Sequence, residues 1–285
     1  MIAVLLILSI IAQVSQQVCR KEHNKRENDN PLSFSVVGVL AALVYFVVLS
    51  KGQLSFSPGM FLYSLPFAIC YMIAYVCTIY AIKHGPLSIT SLIISCSVAV
   101  PLIYGIVFLK EPVNCLLILG LVLLFLSIIF VSEPWKREEM RITTKWVVYI
   151  SVTFFSNGFC MTIQKLFQMK DYGVHSNEFM ICSLALTFLL LLLLVLVCER
   201  KGLKKMLKTH GIIWPVFCGV GNGIANQVTM ILAVVLPASF LYPMQSAGAI
   251  VLTAIVSILL YKEKLSLFQK IGFVTGVLAI IVFNV

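Results

Sequence analysis

The sequence predicts an all-α membrane protein, with ten transmembrane helices arranged as two inverted five-helix repeats. Three observations carry that expectation. Hydrophobic residues make up 60% of the chain and charged residues 11%, with a mean hydropathy of +1.03, whereas soluble domains carry about 25% charged residues. A chain this apolar cannot cover a water-facing surface, so lipid must be its solvent. Ten apolar stretches each approach the ~20 residues that a helix needs to cross hydrocarbon. Finally, the segment Ala81 to Val131 aligns without a gap on Ala233 to Phe283, an offset of 152 residues. Lys110-Glu111 falls on Lys262-Glu263, Gly120 on Gly272, and Leu126, Ile128 and Ile129 on Leu278, Ile280 and Ile281.

In chain order the predicted spans are 1–18, 32–50, 58–82, 87–108, 113–132, 145–166, 177–198, 211–234, 239–260 and 266–284. Helix 1 starts at Met1 without a basic region or a small-residue cleavage site, so it reads as a retained span. The organisation is then a first five-helix repeat over 1–132, a connecting loop over 133–144 and a second repeat over 145–285. Five helices per half is odd, so the second half enters the membrane in the opposite sense, as in transporters that alternate access around a held site. The formal charge of +10 is topological. Connections 1-2, 3-4, 5-6, 7-8 and 9-10 carry 17 Lys and Arg residues, and the opposite side carries only Lys51, Lys110, Lys165 and Lys170. The positive-inside rule therefore places both termini outside the cytoplasm. Nucleic acid is excluded as a partner, and the lipid bilayer is the expected one. The nine cysteines lie mostly inside apolar spans and form no CxxC, which argues for packing roles and against a disulfide framework or zinc site.

The pattern Ala81, Gly85-Pro86, Pro101, Lys110-Glu111-Pro112 and Gly120 is echoed by Ala233, Pro237, Pro243, Lys262-Glu263, Gly272 and Gly276. It resembles the EamA-type transporters of the drug/metabolite transporter superfamily over nearly the whole chain. The resemblance implies ten helices, two inverted repeats, and movement of a small metabolite or drug. It also implies cytoplasmic termini, against the charge count, and the charge count is the expectation kept. The setting expected is a multi-pass protein of a bacterial inner membrane. Cation exporters related to this superfamily use a buried carboxylate, whereas the matching region of helix 1 here offers glutamines.

Glu111 and Glu263 sit just before predicted helix starts. The simplest role is capping of the following helix, with Pro112 in its first turn. Substrate contacts are sought instead where polar side chains sit at membrane depth, because each is costly unless it faces protein, water or solute. Helix 8 offers Asn222, Asn226 and Gln227 beside Gly219 and Gly223, with the two asparagines one turn apart and the glycines at a spacing that permits close helix contact. Tyr71 and Tyr75 of helix 3 are likewise one turn apart. Helix 1 contributes Gln13, Gln16 and Gln17, and helix 6 contributes Asn157, Gln164 and Lys165. Helices 4 and 9 offer Ser88, Ser91 and Ser95, then Tyr242, Gln245 and Ser246, with Pro101 and Pro243 each expected to free a backbone carbonyl inside a span. The candidate substrate-binding set is Gln13, Gln17, Tyr71, Tyr75, Ser91, Ser95, Asn157, Gln164, Lys165, Asn222, Asn226, Gln227, Tyr242 and Gln245. Every one of these also has a bland reading, in interhelical packing or, for Lys165, in snorkelling to the interface.

No acidic residue lies mid-span, so a neutral, zwitterionic or carboxylate-bearing solute, such as an amino acid, is expected over a lipophilic cation. Multidrug efflux and a non-transporting membrane binding module are the alternatives. No catalytic motif is present, the four histidines lie at or near helix ends, and no cofactor or metal is expected. Helices 5 and 10, almost wholly aliphatic with Gly120, Gly272 and Gly276, suit a lipid-facing scaffold or a homodimer surface.

Overall fold

The computed structural model describes residues 2–26, 31–52, 54–84, 93–94, 96–132, 143–171, 174–200, 202–203, 210–261 and 266–283. Ser88, Ser91, Ser95, Gly85-Pro86 and Lys262-Glu263 lie outside the described residues, as does the side chain of Gln17. Ten α-helices are present among those described: α1 (Ile2–Arg26), α2 (Pro31–Leu49), α3 (Pro58–His84), α4 (Ala99–Val107), α5 (Cys115–Ser132), α6 (Thr144–Asp171), α7 (Ser176–Cys198), α8 (Ile213–Val235), α9 (Ala238–Tyr261) and α10 (Leu267–Phe283). Six of them, α1, α2, α3, α6, α7 and α8, are long and apolar enough to cross a membrane by length and composition. Large aliphatic side chains point outward along them, Leu62, Leu193 and Val197 being 71%, 64% and 84% exposed. That surface would aggregate in water and is satisfied by acyl chains.

Three helix ends differ from the expected ones, the third in the span expected over 87–108, where the α-helix named above among the described residues is only Ala99–Val107. α1 runs on to Arg26 and α6 to Asp171, past the apolar stretches expected to stop at 18 and 166. Hydropathy marks where lipid ends, whereas backbone hydrogen bonding continues for as long as neighbours support it. Pro101 sits in the first turn of α4, directly behind a 3-10 turn over Cys96–Val98, and its missing N–H costs little there. Pro243 does lie inside α9, and Pro66 inside α3.

The chain forms two compact units, each drawing on both sequence halves: Met1–Val76 with Ile163–Val234, and Cys77–Thr162 with Val235–Val285. In the first unit α2 packs on α7 and α8. A Cβ added at Gly219 would collide with the Gly38 carbonyl and the Ala41 side chain, and one at Gly223 with the Tyr45 ring. The small-residue face of α8 therefore exists to bring backbones together. Glu199, just beyond α7, accepts hydrogen bonds from the Leu32 and Ser33 amides at 3.4 and 3.0 Å. Its carboxylate thus satisfies the free N–H groups at the start of α2, where the helix dipole favours negative charge.

In the second unit α5 and α10 form a close pair. Ser127 Oγ donates to the Gly272 carbonyl at 2.6 Å, the Phe130 and Phe268 rings stack at 6.4 Å, and a Cβ at Gly276 would meet Ser127 and Val251. Gly272 and Gly276 are thus used inside the α5–α10 contact and not on an outer face. Glu111 also departs from expectation. α5 begins at Cys115 and is capped by Asn114, whose Oδ1 accepts the Leu117 amide at 2.6 Å, so Pro112 precedes the helix. The Glu111 carboxylate instead accepts the Ala238 and Ser239 amides at 2.7 and 2.9 Å. It caps α9, more than a hundred residues away, and its own amide bonds the Gly105 carbonyl at 3.1 Å.

Candidate functional site

Helix 1 carries polar residues at Gln13, Gln16, Gln17 and Arg20, the i, i+3, i+4, i+7 spacing of one helix face. In the first unit Gln16 of this series meets α8. Gln16, only 8% exposed, accepts a hydrogen bond at Oε1 from Asn222 Nδ2 at 3.2 Å. Asn222 Oδ1 accepts from Asn226 Nδ2 at 3.1 Å, and Asn226 Oδ1 accepts from Gln164 Nε2 at 3.4 Å. Gln16 Nε2 ends the series on the Ala12 carbonyl at 3.2 Å. Four amides from α1, α8 and α6 thus form one line in which each donates to the next. Such a chain is mutually polarising, and each amide keeps donor or acceptor capacity beyond the bonds just named. Gly221 makes the approach possible, since a Cβ there would press on Ser15 Oγ and the Ala12 carbonyl.

Lys165 follows Gln164 on α6 and is 5% exposed. Its Nζ donates to the Ala233 carbonyl of α8 at 2.7 Å. The ammonium is therefore engaged with α8 backbone inside the unit. α8 carries both the amide line and this carbonyl, and α6 supplies Gln164 and Lys165 from neighbouring positions.

The tyrosine pair of α3 belongs to a longer aromatic column. Tyr63, Phe67, Tyr71 and Tyr75 recur every four residues. Phe67 stacks on Tyr71 at 5.7 Å and Tyr71 lies 6.0 Å from Tyr75. Phe179 packs against Phe67 and stacks on Phe167 at 4.4 Å. A cation closes each end of the column. Lys170 Nζ lies 5.6 Å over the Tyr63 ring. The Arg20 guanidinium lies 5.6 Å over Tyr75 and donates to its hydroxyl at 3.3 Å, a geometry that draws on the negative ring face.

The other candidates fall as follows. Gln13 is half-buried on α1. Gln227 lines a cleft at the end of α2 and the start of α7, and its Oε1 is buried without a partner among the described residues. Asn157, Tyr242 and Gln245 belong to the second unit. Tyr242 donates to the Met161 carbonyl at 2.7 Å, and Gln245 is 4% exposed. The expected set missed Gln16 as a bonded member and Arg20. The helical spacing of polar residues in α1 was the available signal for both. Among the described residues, no group of three or more His, Cys, Asp or Glu side chains is placed to hold a metal.

The sequence profile of the EamA-like transporter family matches residues 1–133. No curated protein matches the chain. A protein known from a crystal structure shares the fold, with a TM-score of 0.77 over 100% of this chain and 98% of that one, at 11% sequence identity.

Proposed function

We propose, from the match of residues 1–133 to the EamA-like transporter family, part of the drug/metabolite transporter superfamily, that this multi-pass membrane protein is a secondary transporter of a small metabolite. The solute is neutral, zwitterionic or carboxylate-bearing. Ten spans form two inverted five-helix repeats, and movement between them alternates access to the two sides. Pivoting near Pro86, Pro101, Pro237 and Pro243 allows the exchange. Both termini lie outside the cytoplasm of a bacterial inner membrane.

The amide line Gln16–Asn222–Asn226–Gln164 is the observation that supports this reading most. A bundle built only for stability would fill that seam with aliphatic side chains, because polar residues at membrane depth must be continuously satisfied. Neutral amides can exchange partners with a passing solute without creating a bare charge, as a carboxylate or ammonium would. The test is flux in liposomes holding the purified full chain, challenged with amino acids, sugars, organic acids and polyamines. Saturable uptake of one chemical class supports the reading. Saturable export of several unrelated lipophilic compounds would replace it with multidrug efflux, and no flux of any solute would favour a membrane binding module.

A further inference from the structure

Arg20 closes the apolar stretch Ile2–Arg20 of α1, and the amide line does not use its charge. A basic residue at the end of a span ordinarily snorkels away from its neighbours toward the headgroups. Arg20 turns the other way. Its guanidinium donates to the Tyr75 hydroxyl of α3 at 3.3 Å and is hydrogen-bonded to the Cys218 side chain of α8. Tyr75 lies within the apolar stretch Gly59–Thr78 and Cys218 within Ile213–Val235; Cys218 is 4% exposed. Arg20 itself is nevertheless exposed. Exposure combined with bonds to two flanking helices means that the guanidinium opens onto the space among α1, α3 and α8.

The charge at this point lacks a counterion. Arginine presents five N–H donors in a fixed fork, and the partners named are a phenol and a thiol, neither of them an anion. An ionised side chain at the margin of a span is costly without an opposite charge, and a tyrosine face compensates only part of that cost. The fork selects what completes it. Two parallel N–H groups match the two oxygens of a carboxylate or phosphate, whereas a halide gains nothing from that geometry.

The register of α1 against α8 places the guanidinium next to the amide line. Gln16 meets Asn222. One turn further along α1, Arg20 meets Cys218, which is one turn back along α8. The two contacts are successive rungs of one antiparallel seam, so a solute bonded to the amides brings its next group to Arg20. Tyr75 fixes the fork from the third side.

We propose that Arg20, positioned by Tyr75 and Cys218, is an oxyanion-binding residue that takes a carboxylate or phosphate in this seam. A solute and a phospholipid headgroup both offer that chemistry. The proposal rests on the transporter reading where it assigns the oxyanion to the transported solute.

The experiment is thermal melting of the full chain in an uncharged detergent, titrated with succinate, inorganic phosphate or chloride at matched ionic strength. Succinate or phosphate is expected to raise the midpoint saturably, and chloride is not. Arg20→Gln is expected to remove the rise. Arg20→Lys, which keeps the charge and loses the fork, is expected to weaken apparent affinity by about threefold or more. Lys170→Gln, at the other end of the aromatic column, is expected to leave the response intact. A second arm titrates phosphatidylglycerol. Stabilisation by that lipid alone, absent in Arg20→Gln, keeps the oxyanion site and assigns it to a headgroup. Should Arg20→Gln lose its monodisperse elution, Arg20→Lys and Tyr75→Phe, which frees the fork to rotate, carry the test. The proposal is overturned if no oxyanion from either source stabilises the wild type, if Arg20→Gln responds as the wild type does, or if Lys170→Gln abolishes the response equally. Flux without Arg20-dependent binding sinks only the oxyanion site, and Arg20-dependent binding without flux sinks only transport.

Discussion

Asn226 is the residue that joins α6 to the amide line, because it donates to Asn222 Oδ1 and accepts from Gln164 Nε2. Asn226→Leu strands both partners, and it is expected to destabilise the protein by about 1–3 kcal/mol. Thermal melting in detergent checks this; an unchanged midpoint would mean that the amides find other partners. Lys165 is a contrasting case. Because its ammonium already holds the Ala233 carbonyl, Lys165→Gln is expected to retain transport of an anionic solute, and abolished flux with an unchanged melting point would place the ammonium on the solute. Which glutamine of α1 matters was not legible from composition. Three glutamines fall within five residues, and a helix turns about 100° per residue, so only the observed rotation of α1 picks Gln16.

At the scale of elements, two helix starts are capped by carboxylates far along the chain: Glu199 on α2 and Glu111 on α9. The glutamate before a helix was legible as a cap, but its target was not, since α9 begins 127 positions after Glu111. A cap's partner is set by tertiary packing, which local spacing does not encode. Glu111→Ala is expected to cost about 0.5–2 kcal/mol and to speed amide exchange at Ala238 and Ser239, while the α5 start, capped by Asn114, is unaffected. Equal acceleration at Leu117 would show a general loosening instead. Close packing gives a second expectation. Gly219→Leu must push α8 away from Gly38 and Ala41 of α2, and it is expected to destabilise by about 1–3 kcal/mol. Gly59→Ala, where the nearest atom to an added Cβ is Ser57 Oγ at 3.8 Å, is expected to be tolerated in the same melting assay.

For the whole molecule, the membrane class was legible because lipid demands long apolar stretches; ten α-helices are present among the described residues, and six of them are long and apolar enough to cross a membrane. The 152-residue offset, at which Lys-Glu and the helix 5 and 10 glycines recur, is a property of the sequence, whereas the two compact units each draw on both sequence halves. The surroundings of Arg20 were not legible. Tyr75 reaches it from α3 and Cys218 from α8, and the arginine itself reads locally as one more basic residue of a connection. Orientation is read from the charge count alone, so a reporter active only in the cytoplasm, fused after Val285, is expected to be silent. The central claim is movement of solute, and the most direct measurement is flux of a metabolite panel into liposomes containing the purified chain, run beside Asn226→Leu. Saturable uptake of one class, reduced by that substitution in protein that remains monodisperse, is the expected result. No uptake of any solute by folded wild-type protein would contradict the account.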